Sequence, residues 1–464
     1  LTPTLSPGGG EGEVIVARGR AMSHGSILGL SPAWVATGTF ALSYLVIITE
    51  RLNRSITALL GASAMVVTGV LTQEEAIRGI DFNTIGLLTG MMVLVSIARR
   101  SGMFEYLAVW SAKQSRAEPW IMLAMLSLVT AVVSAFLNNV AMVLLMAPVT
   151  LAVARQLEVP PYPFLFAEIF ASNIGGTATL IGDPPNIMIG SAASLGFDDF
   201  IVNLTPVIVL VMAVQLLATH LIWGRTMRTT PEARARVMAL DPGKMIADRP
   251  LLRASLAVMG GEILAFVFAR QLALEAGTIA IAGAAVLMLC HNIEHHRESF
   301  RQTEKLTEAF AEVDWITIFF FLGLFVIVRG IDTTGVLDVL AQRLIAATGH
   351  DLGTAAAAVL WGSAVLSAIV DNIPFVAAMI PLIKALGPEL GGAPHILPLW
   401  WALSLGACLG GNGTLIGAAA NLSVAGIAER NGVSFSFLTF TKYAFGLMLL
   451  SVAISHVYLR LRYF

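Results

Sequence analysis

Residues 175–186 read GGTATLIGDPPN, and they lie inside an otherwise apolar region. The pattern returns at residues 410–421 as GGNGTLIGAAAN, at a constant offset of 235 residues (410 minus 175). Both copies begin with two glycines, share Thr-Leu-Ile-Gly and end on an asparagine. Such repetition indicates an internal duplication, in which the two copies mark corresponding points.

Each copy predicts a membrane helix that unwinds halfway, because glycine, proline, threonine and asparagine are poor helix formers. Unwound backbone at membrane depth has to line a polar cavity, since lipid cannot satisfy its N–H and C=O groups. Two broken helices at corresponding places are typical of the binding site of a secondary transporter. The alternative is that the glycines only permit close helix packing. Packing alone does not explain the accompanying Thr, Asn and Asp.

The composition is that of an integral membrane protein. Of 464 residues, 56% are hydrophobic and only 12% are charged, and the mean hydropathy is +0.80. The net charge of -2 gives no sign of nucleic-acid binding, and the phosphate-binding loop of an ATP-driven pump is absent. Cys290 and Cys408 lie far apart in apolar segments and are predicted to be free thiols. We therefore predict a multi-pass protein of the cell's inner or plasma membrane that is no enzyme and has no resident cofactor.

The apolar runs divide the chain into four sections. Residues 1–32 are rich in Gly, Pro and Ser and are predicted to be a disordered leader. The first repeat covers 33–223, a polar cytoplasmic linker covers 224–250, and the second repeat covers 251–464.

Each repeat contains, in the same order, three spans, an amphipathic stretch, an interrupted apolar run, a broken segment and a last span. In the first repeat these are 33–49, 54–71, 82–98, 103–115, 118–155, 163–195 and 200–223. In the second they are 251–270, 276–291, 313–330, 335–347, 353–386, 396–428 and 436–459.

The interrupted runs decide the topology. The first is broken at Asn138-Asn139 and the second at Asp371-Asn372, at an offset of 233 residues (372 minus 139). If each run is a re-entrant hairpin that enters and leaves on one face, each repeat has about five spans, and an odd number inverts the second repeat. Most Lys and Arg residues then fall on one face, which agrees with the positive-inside rule. We predict an all-α polytopic membrane protein of two inverted repeats, each with a re-entrant helical hairpin and a broken helix.

Two acidic residues in apolar surroundings are the principal candidates for transport, because a charge in hydrocarbon needs a partner or a function. Asp183 lies in the first unwound segment, and Asp371 lies at the tip of the second hairpin. Together with nearby amides, hydroxyls and carbonyls they offer the oxygen ligands that a hard cation prefers. Alternatively, either carboxylate carries a proton, or it only caps a half-helix. The candidate binding residues are Asn138, Asn139, Gly176, Thr177, Thr179, Asp183, Asn186, Asp371, Asn372, Asn412, Thr414 and Asn421.

Four segments carry a resemblance to a known family: SAFLNN at 134–139, residues 173–186, DNIPF at 371–375, and residues 406–417. They resemble the P protein, arsenite permease and NhaD-type permease family, with its citrate transporter-like domain, in the ion transporter superfamily. The likeness is greatest to the branch of the melanosomal P protein. The resemblance implies inverted repeats, an elevator-type motion of a transport domain against a scaffold, and a homodimer.

In the symporter branch of that superfamily, each hairpin tip carries a Ser-Asn-Thr motif that binds sodium. The aligned tips here read LNN at 137–139 and VDN at 370–372, so the serine is absent and asparagine replaces the threonine. The resemblance implies a candidate sodium site made of Asn138, Asn139, Asp371 and Asn372. The altered motif argues against a dicarboxylate/sodium symporter.

We expect a secondary active transporter of a small ion or anion, of the P-protein or arsenite-permease type, coupled to a proton or sodium gradient. The first alternative is an NhaD-type sodium/proton antiporter, which the pair of aspartates suits. An anion channel or a dicarboxylate/sodium symporter is a further alternative. The predicted partners are a small ion or anion, the lipid bilayer and a second copy of the chain, but no nucleic acid.

Overall fold

The structure is a computed structural model that describes residues 31–49, 51–292, 299–349 and 351–464. Every regular element within these ranges is a helix. The predicted leader, residues 1–32, lies outside the described residues apart from its last two positions. The all-α architecture expected from the sequence is therefore confirmed.

The first half contains ten α-helices among the described residues, and the last continues as a π-helical turn, His220–Gly224. They are α1 (Pro32–Thr49), α2 (Arg54–Val67), α3 (Gln73–Gly79), α4 (Phe82–Arg99), α5 (Met103–Gln114), α6 (Pro119–Ser134), α7 (Asn139–Gln156), α8 (Tyr162–Thr177), α9 (Pro184–Ala193) and α10 (Phe197–Thr219).

The linker forms one short helix, α11 (Pro231–Met238), and a 3₁₀ turn. The helices of the second half are α12 (Arg249–Val267), α13 (Ala269–Leu272), α14 (Ala276–Asn292), α15 (Ser299–Ala311), α16 (Trp315–Asp332), α17 (Val336–Thr348), α18 (Leu352–Ile369), α19 (Asn372–Leu386), α20 (Leu397–Gly410), α21 (Ala419–Arg430) and α22 (Phe437–Tyr463).

Eight of the described helices are long and apolar enough to cross a membrane: α1, α4, α7, α10 with its π turn, α12, α16, α18 and α22. Four more, α2, α6, α14 and α19, are apolar but shorter. The predicted span 54–71 is shorter than expected, because α2 ends at Val67 and the chain turns at Gly69, whose φ is +73°. Only a residue without a Cβ adopts that conformation without strain. The multi-pass architecture is confirmed.

Helices of the two halves pack against each other in exchanged pairs, α4 against α14 and α2 against α16. A Cβ added to Gly90 in α4 would lie 2.5 Å from the backbone of Ala280 in α14. A Cβ added to Gly323 in α16 would lie 2.5 Å from the backbone of Ala58 in α2. Small residues let membrane helices approach this closely. The duplicated sequence thus produces two equivalent contacts that join the halves.

Each broken helix packs against the first arm of the hairpin in its own half, α8 against α6 and α20 against α18. A Cβ on Gly175 would lie 2.1 Å from the carbonyl oxygen of Ala131, and one on Gly410 would lie 2.6 Å from Cα of Ala364. The first glycine of each repeated stretch therefore serves close packing. The packing interpretation holds for that glycine, while the rest of the stretch forms the break.

The predicted interruptions are present as gaps between helices. The first hairpin tip is residues 135–138, between α6 and α7, and the second hairpin tip is residues 370–371, between α18 and α19. The first break, residues 178–183, separates α8 from α9. The second break, residues 411–418, separates α20 from α21 and contains two 3₁₀ turns. The inversion of the repeats and the elevator motion stay predictions.

Close packing of α4 on α14 predicts that Gly90→Ala lowers stability by about 1–3 kcal/mol, because the added methyl group overpacks a backbone contact. The matched control is Gly260→Ala in α12, where an added Cβ meets nothing within 4 Å. Removing a helical glycine there should stabilise the protein by about 0.5–1 kcal/mol. Melting temperatures of the purified variants in detergent test this. Equal melting temperatures for the two variants would contradict the described contact.

Candidate functional site

Each hairpin tip ends on a side chain that caps the following helix. Oδ1 of Asn138 accepts a hydrogen bond from the backbone N–H of Val140 at 2.9 Å, and Oδ1 of Asp371 accepts one from Ile373 at 3.0 Å. Such a bond satisfies one of the free N–H groups of a helix start. The capping role considered for Asp371 is therefore present, but it uses only one of the two carboxylate oxygens.

The closing asparagine of each repeated stretch bonds the carbonyl groups of its own break. Nδ2 of Asn186 donates to the carbonyl oxygens of Thr177 and Thr179, at 3.1 and 2.9 Å. Nδ2 of Asn421 donates to the carbonyl oxygens of Gly411 and Thr414, both at 2.8 Å. These carbonyls lie where the regular α-helix ends, so the two amides supply donors at the places where unwinding removes helical bonds.

The threonine of each repeated stretch ties its break to the neighbouring hairpin. Oγ1 of Thr414 donates to the carbonyl oxygen of Ala368 at 2.5 Å, and Thr179 makes the corresponding bond to Ala135. Both threonines, predicted as ion ligands, thus direct their hydroxyl protons to backbone at the end of a hairpin arm.

Asp183 is the buried carboxylate of the site. It is 1% exposed, and neither of its oxygens has a hydrogen-bond partner within the described part of the chain. Its carboxyl group lies beside the side chains of Asn139, Asn372 and Cys408. Buried polar atoms are nearly always satisfied, and these three side chains are the groups placed to donate to the carboxylate, which has no ion-pair partner among the described residues. The first residue of each hairpin's second arm therefore lies beside the first break, and the shared binding site expected from the sequence stays a prediction.

Two amide groups near this carboxylate are also without partners. Nδ2 of Asn372 and Nδ2 of Asn412 are buried and form no hydrogen bond to any described residue. Asn412 is fully buried, and its Oδ1 accepts from Asn173 at 2.9 Å. The described residues of the site thus include unsatisfied acceptors on Asp183 and unsatisfied donors on Asn372 and Asn412. An arrangement of this kind can hold a cation together with a polar or anionic group.

Asn173 joins the two halves, and sequence reasoning missed it. Its Nδ2 donates to Oδ1 of Asn412 and of Asn421, both at 2.9 Å, and its Oδ1 accepts from Asn139 at 3.2 Å. The equivalent residue in the second half is Cys408, whose thiol lies 3.6 Å from Oδ1 of Asn186. A signal was present, since an asparagine just before the glycine pair of an apolar helix is unusual.

Arg54 was also missed, because at the start of an apolar span it resembles an ordinary cytoplasmic charge. Its Nη1 lies 3.1 Å from Oδ2 of Asp371, and its Nη2 donates to Oγ1 of Thr317 at 3.0 Å. The side chains of Arg54 and Asp371 are 26% and 16% exposed. Asp371 is therefore a capping and ion-paired residue, whereas Asp183 has neither kind of partner among the described residues.

Two cavities reach the hairpin tips. The cavity at the second tip has a volume of about 330 Å³ and is lined by Asn53, Arg54, Asp371 and Ser423 among others. The cavity at the first tip has a volume of about 340 Å³ and its lining includes Asn138 and again Arg54. Volumes of this size accommodate small solutes.

The remaining predicted residues shape the breaks. A Cβ on Gly176 would lie 2.7 Å from the carbonyl oxygen of Gly182, so only glycine fits this close approach. Oγ1 of Thr177 donates to the carbonyl oxygen of Asn173 at 2.7 Å. The predicted set therefore converges on one region, with Asp183, Asn139 and Asn372 in contact and Asp371 and Asn138 at the cavities.

The sequence profile of the CitMHS (citrate transporter) family matches residues 44–406. The chain belongs to this family. It is 41% identical over 434 residues to an uncharacterized transporter of Mycobacterium tuberculosis, a match that covers 93% of this chain and 98% of that protein. It is 34% identical over 509 residues to the human P protein, covering 92% of this chain and 59% of the P protein. The resemblance inferred from the motifs is confirmed.

The family is also similar in fold to a solved transporter. The YdaH transporter of Alcanivorax borkumensis matches with a TM-score of 0.56 at 14% identity, covering 93% of this chain and 98% of that structure. This CitMHS family member is a multi-pass membrane transporter and not an enzyme, and its bacterial relatives place it in the plasma membrane.

The bond between Thr414 and Ala368 gives a test of the tie between break and hairpin. Thr414→Val keeps the shape but leaves the carbonyl of Ala368 without its donor, so we expect a loss of about 1–3 kcal/mol in stability. Thr414→Ser keeps the hydroxyl and serves as the matched control. Thermal melting in detergent measures both. A valine variant as stable as the serine variant would show that this bond does not hold the break.

Proposed function

We propose that this CitMHS member is a secondary active transporter of a small ion or anion, coupled to a proton or sodium gradient. The observation that supports this most directly is the buried carboxylate of Asp183, which forms no ion pair with any described residue. An ionised carboxylate buried without a partner is costly. A proton or a sodium ion bound there removes that cost.

The neighbours of Asp183 suit a coupling-ion site. Asn139 and Asn372 begin the second arms of the two hairpins, and Asp183 begins α9 after the first break. A ligand held between these groups would touch both halves of the chain at once. Movement of one group relative to the others would then alter the affinity for the ion, which is the requirement for coupling. The candidate sodium site at Asn138, Asn139, Asp371 and Asn372 is part of this proposal, as are the elevator motion and a homodimer.

A sodium/proton antiporter is the second candidate. Asp183 and Asp371 are close enough to interact electrostatically, and two such carboxylates can exchange a proton for a sodium ion. The coupled transporter of an ion or anion and the sodium/proton antiporter differ in the solute that accompanies the coupling cation. Counterflow separates both from a channel, because a solute on the far side accelerates uptake through a carrier only.

The role of Asp183 predicts the effect of Asp183→Asn. We expect this variant to fold and to lose ion-coupled flux in proteoliposomes, because the amide keeps the shape of the carboxylate but binds neither a proton nor a cation strongly. Asp338→Asn, at an exposed carboxylate on α17, is the matched control and should transport normally. Flux is measured for arsenite, citrate, chloride and sodium, with and without sodium and pH gradients. Full coupled flux in Asp183→Asn would rule out this residue as the coupling site.

A further inference from the structure

Arg54 occupies the wall between the two cavities. It lines both of them, as does Ala419 at the start of α21. Its guanidinium contacts Asp371 on one side and Thr317 on the other, and its carbon lies 5.3 Å from the centre of the Phe320 ring. A guanidinium has five N–H donors in a fixed fork that suits carboxylate and phosphate groups. Two of them make these bonds, so the fork retains donors toward the cavities.

The charges around Arg54 explain why it does not simply attract any anion. Asp371 faces it from the second hairpin tip and interacts with Asp183 from the first break. The cavity at the first tip adds Arg99, Glu312 and Asp314.

Two of these carboxylates have other partners. Asp314 caps α16 through its bonds to Thr317, and Glu312 lies 3.3 Å from Arg100. Asp371 is therefore the carboxylate that compensates the charge of Arg54.

Neither Arg54 nor Asp371 has a charged counterpart in the other half. The tip of the first hairpin carries Asn138 where the second carries Asp371. An offset of 222 residues aligns Ala58 in α2 with Ala280 in α14, and it places Ala276 opposite Arg54 (276 minus 54). The ion pair between Arg54 and Asp371 therefore has no equivalent at the corresponding positions Ala276 and Asn138.

We propose that the Arg54 guanidinium is the group that recognises an anionic substrate, which it contacts in place of the Asp371 carboxylate. This inference rests on the coupled transport proposed above and assigns the residue that binds its anion. An anion that displaces Asp371 leaves that carboxylate partly buried and without a partner, which is costly. A proton or sodium ion on Asp371 removes the cost, so anion binding and cation binding favour each other. By linkage the effect is reciprocal.

The binding experiment uses the purified full chain with citrate, inorganic phosphate and chloride as separate probes. Isothermal titration calorimetry is run with and without sodium and across a pH series. We expect at least one probe to bind the unaltered protein, more tightly with sodium or at lower pH. The double variant Arg54→Gln/Asp371→Asn removes both charges, as at the first hairpin, and should bind that probe roughly tenfold or more weakly.

Three single variants separate recognition from coupling. Arg54→Lys keeps the charge without the fork and should weaken binding less than the double variant. Asp371→Asn should keep the cap, as Asn138 does, and should bind the anion with a weaker dependence on sodium or pH than the unaltered protein, because only Asp183 remains to bind the cation. Arg51→Gln, at an exposed arginine three residues before Arg54, should leave binding unchanged.

Two results would overturn the inference. One is an anion that binds equally well to the unaltered protein and to the double variant, if melting curves show both to be folded. The other is that no probe binds while sodium or pH alone shifts the melting temperature. Either result leaves coupled flux through Asp183 intact. A different result would count against the proposed function: an anion that still binds through Arg54 while its flux does not depend on a sodium or proton gradient.

Discussion

The carbonyl groups of the two breaks need hydrogen-bond donors that neither lipid nor a regular helix supplies, and the rest of the site depends on how this need is met. Asn186 and Asn421 each donate twice to such carbonyls, and Thr179 and Thr414 fasten each break to a hairpin arm. The repeated stretch therefore encodes both the unwinding of the helix and the side chains that make it tolerable. A fixed break can hold Asp183 without any backbone rearrangement.

Comparison of the two halves distinguishes the residues that support the broken backbone from the residues that differ in chemical type. The bonds that close the breaks and cap the hairpins occur in both halves, because both copies face the same backbone requirement. Among the positions that differ between the breaking helices, two stand out. Asn173 corresponds to Cys408, and Asp183 corresponds to Ala418. Asp183 forms no ion pair with a described residue, and Asn173 bonds across to the other half. The two halves thus share the bonds that support the broken backbone and differ at Asn173 and Asp183.

The sequence predicted the helices, the hairpin interruptions and the breaks because glycine pairs and apolar periodicity act locally. It could not predict that Arg54 reaches Asp371, 317 residues away in the chain, since nothing near Arg54 distinguishes it from a loop charge. The bonds of Asn173 to Asn412 and Asn421 likewise cross between halves. Positions at which the two aligned repeats carry different residues are the sequence signal for such contacts between the halves. Arg54 opposite Ala276 is such a mismatch, and it becomes interpretable only when paired with Asp371 opposite Asn138.

The net charge of Asp183, Asp371 and Arg54 limits which ions the site can bind together. When ionised, Asp183 and Asp371 bring two negative charges, and Arg54 brings one positive charge in contact with Asp371. One monovalent cation at Asp183 therefore makes the set neutral. Each negative charge that a solute adds then requires a further cation, because net charge in a low-dielectric interior is costly. Under the proposed coupling, the anion would therefore move with more cations than its own charge demands, unless the carrier returns with Asp183 protonated.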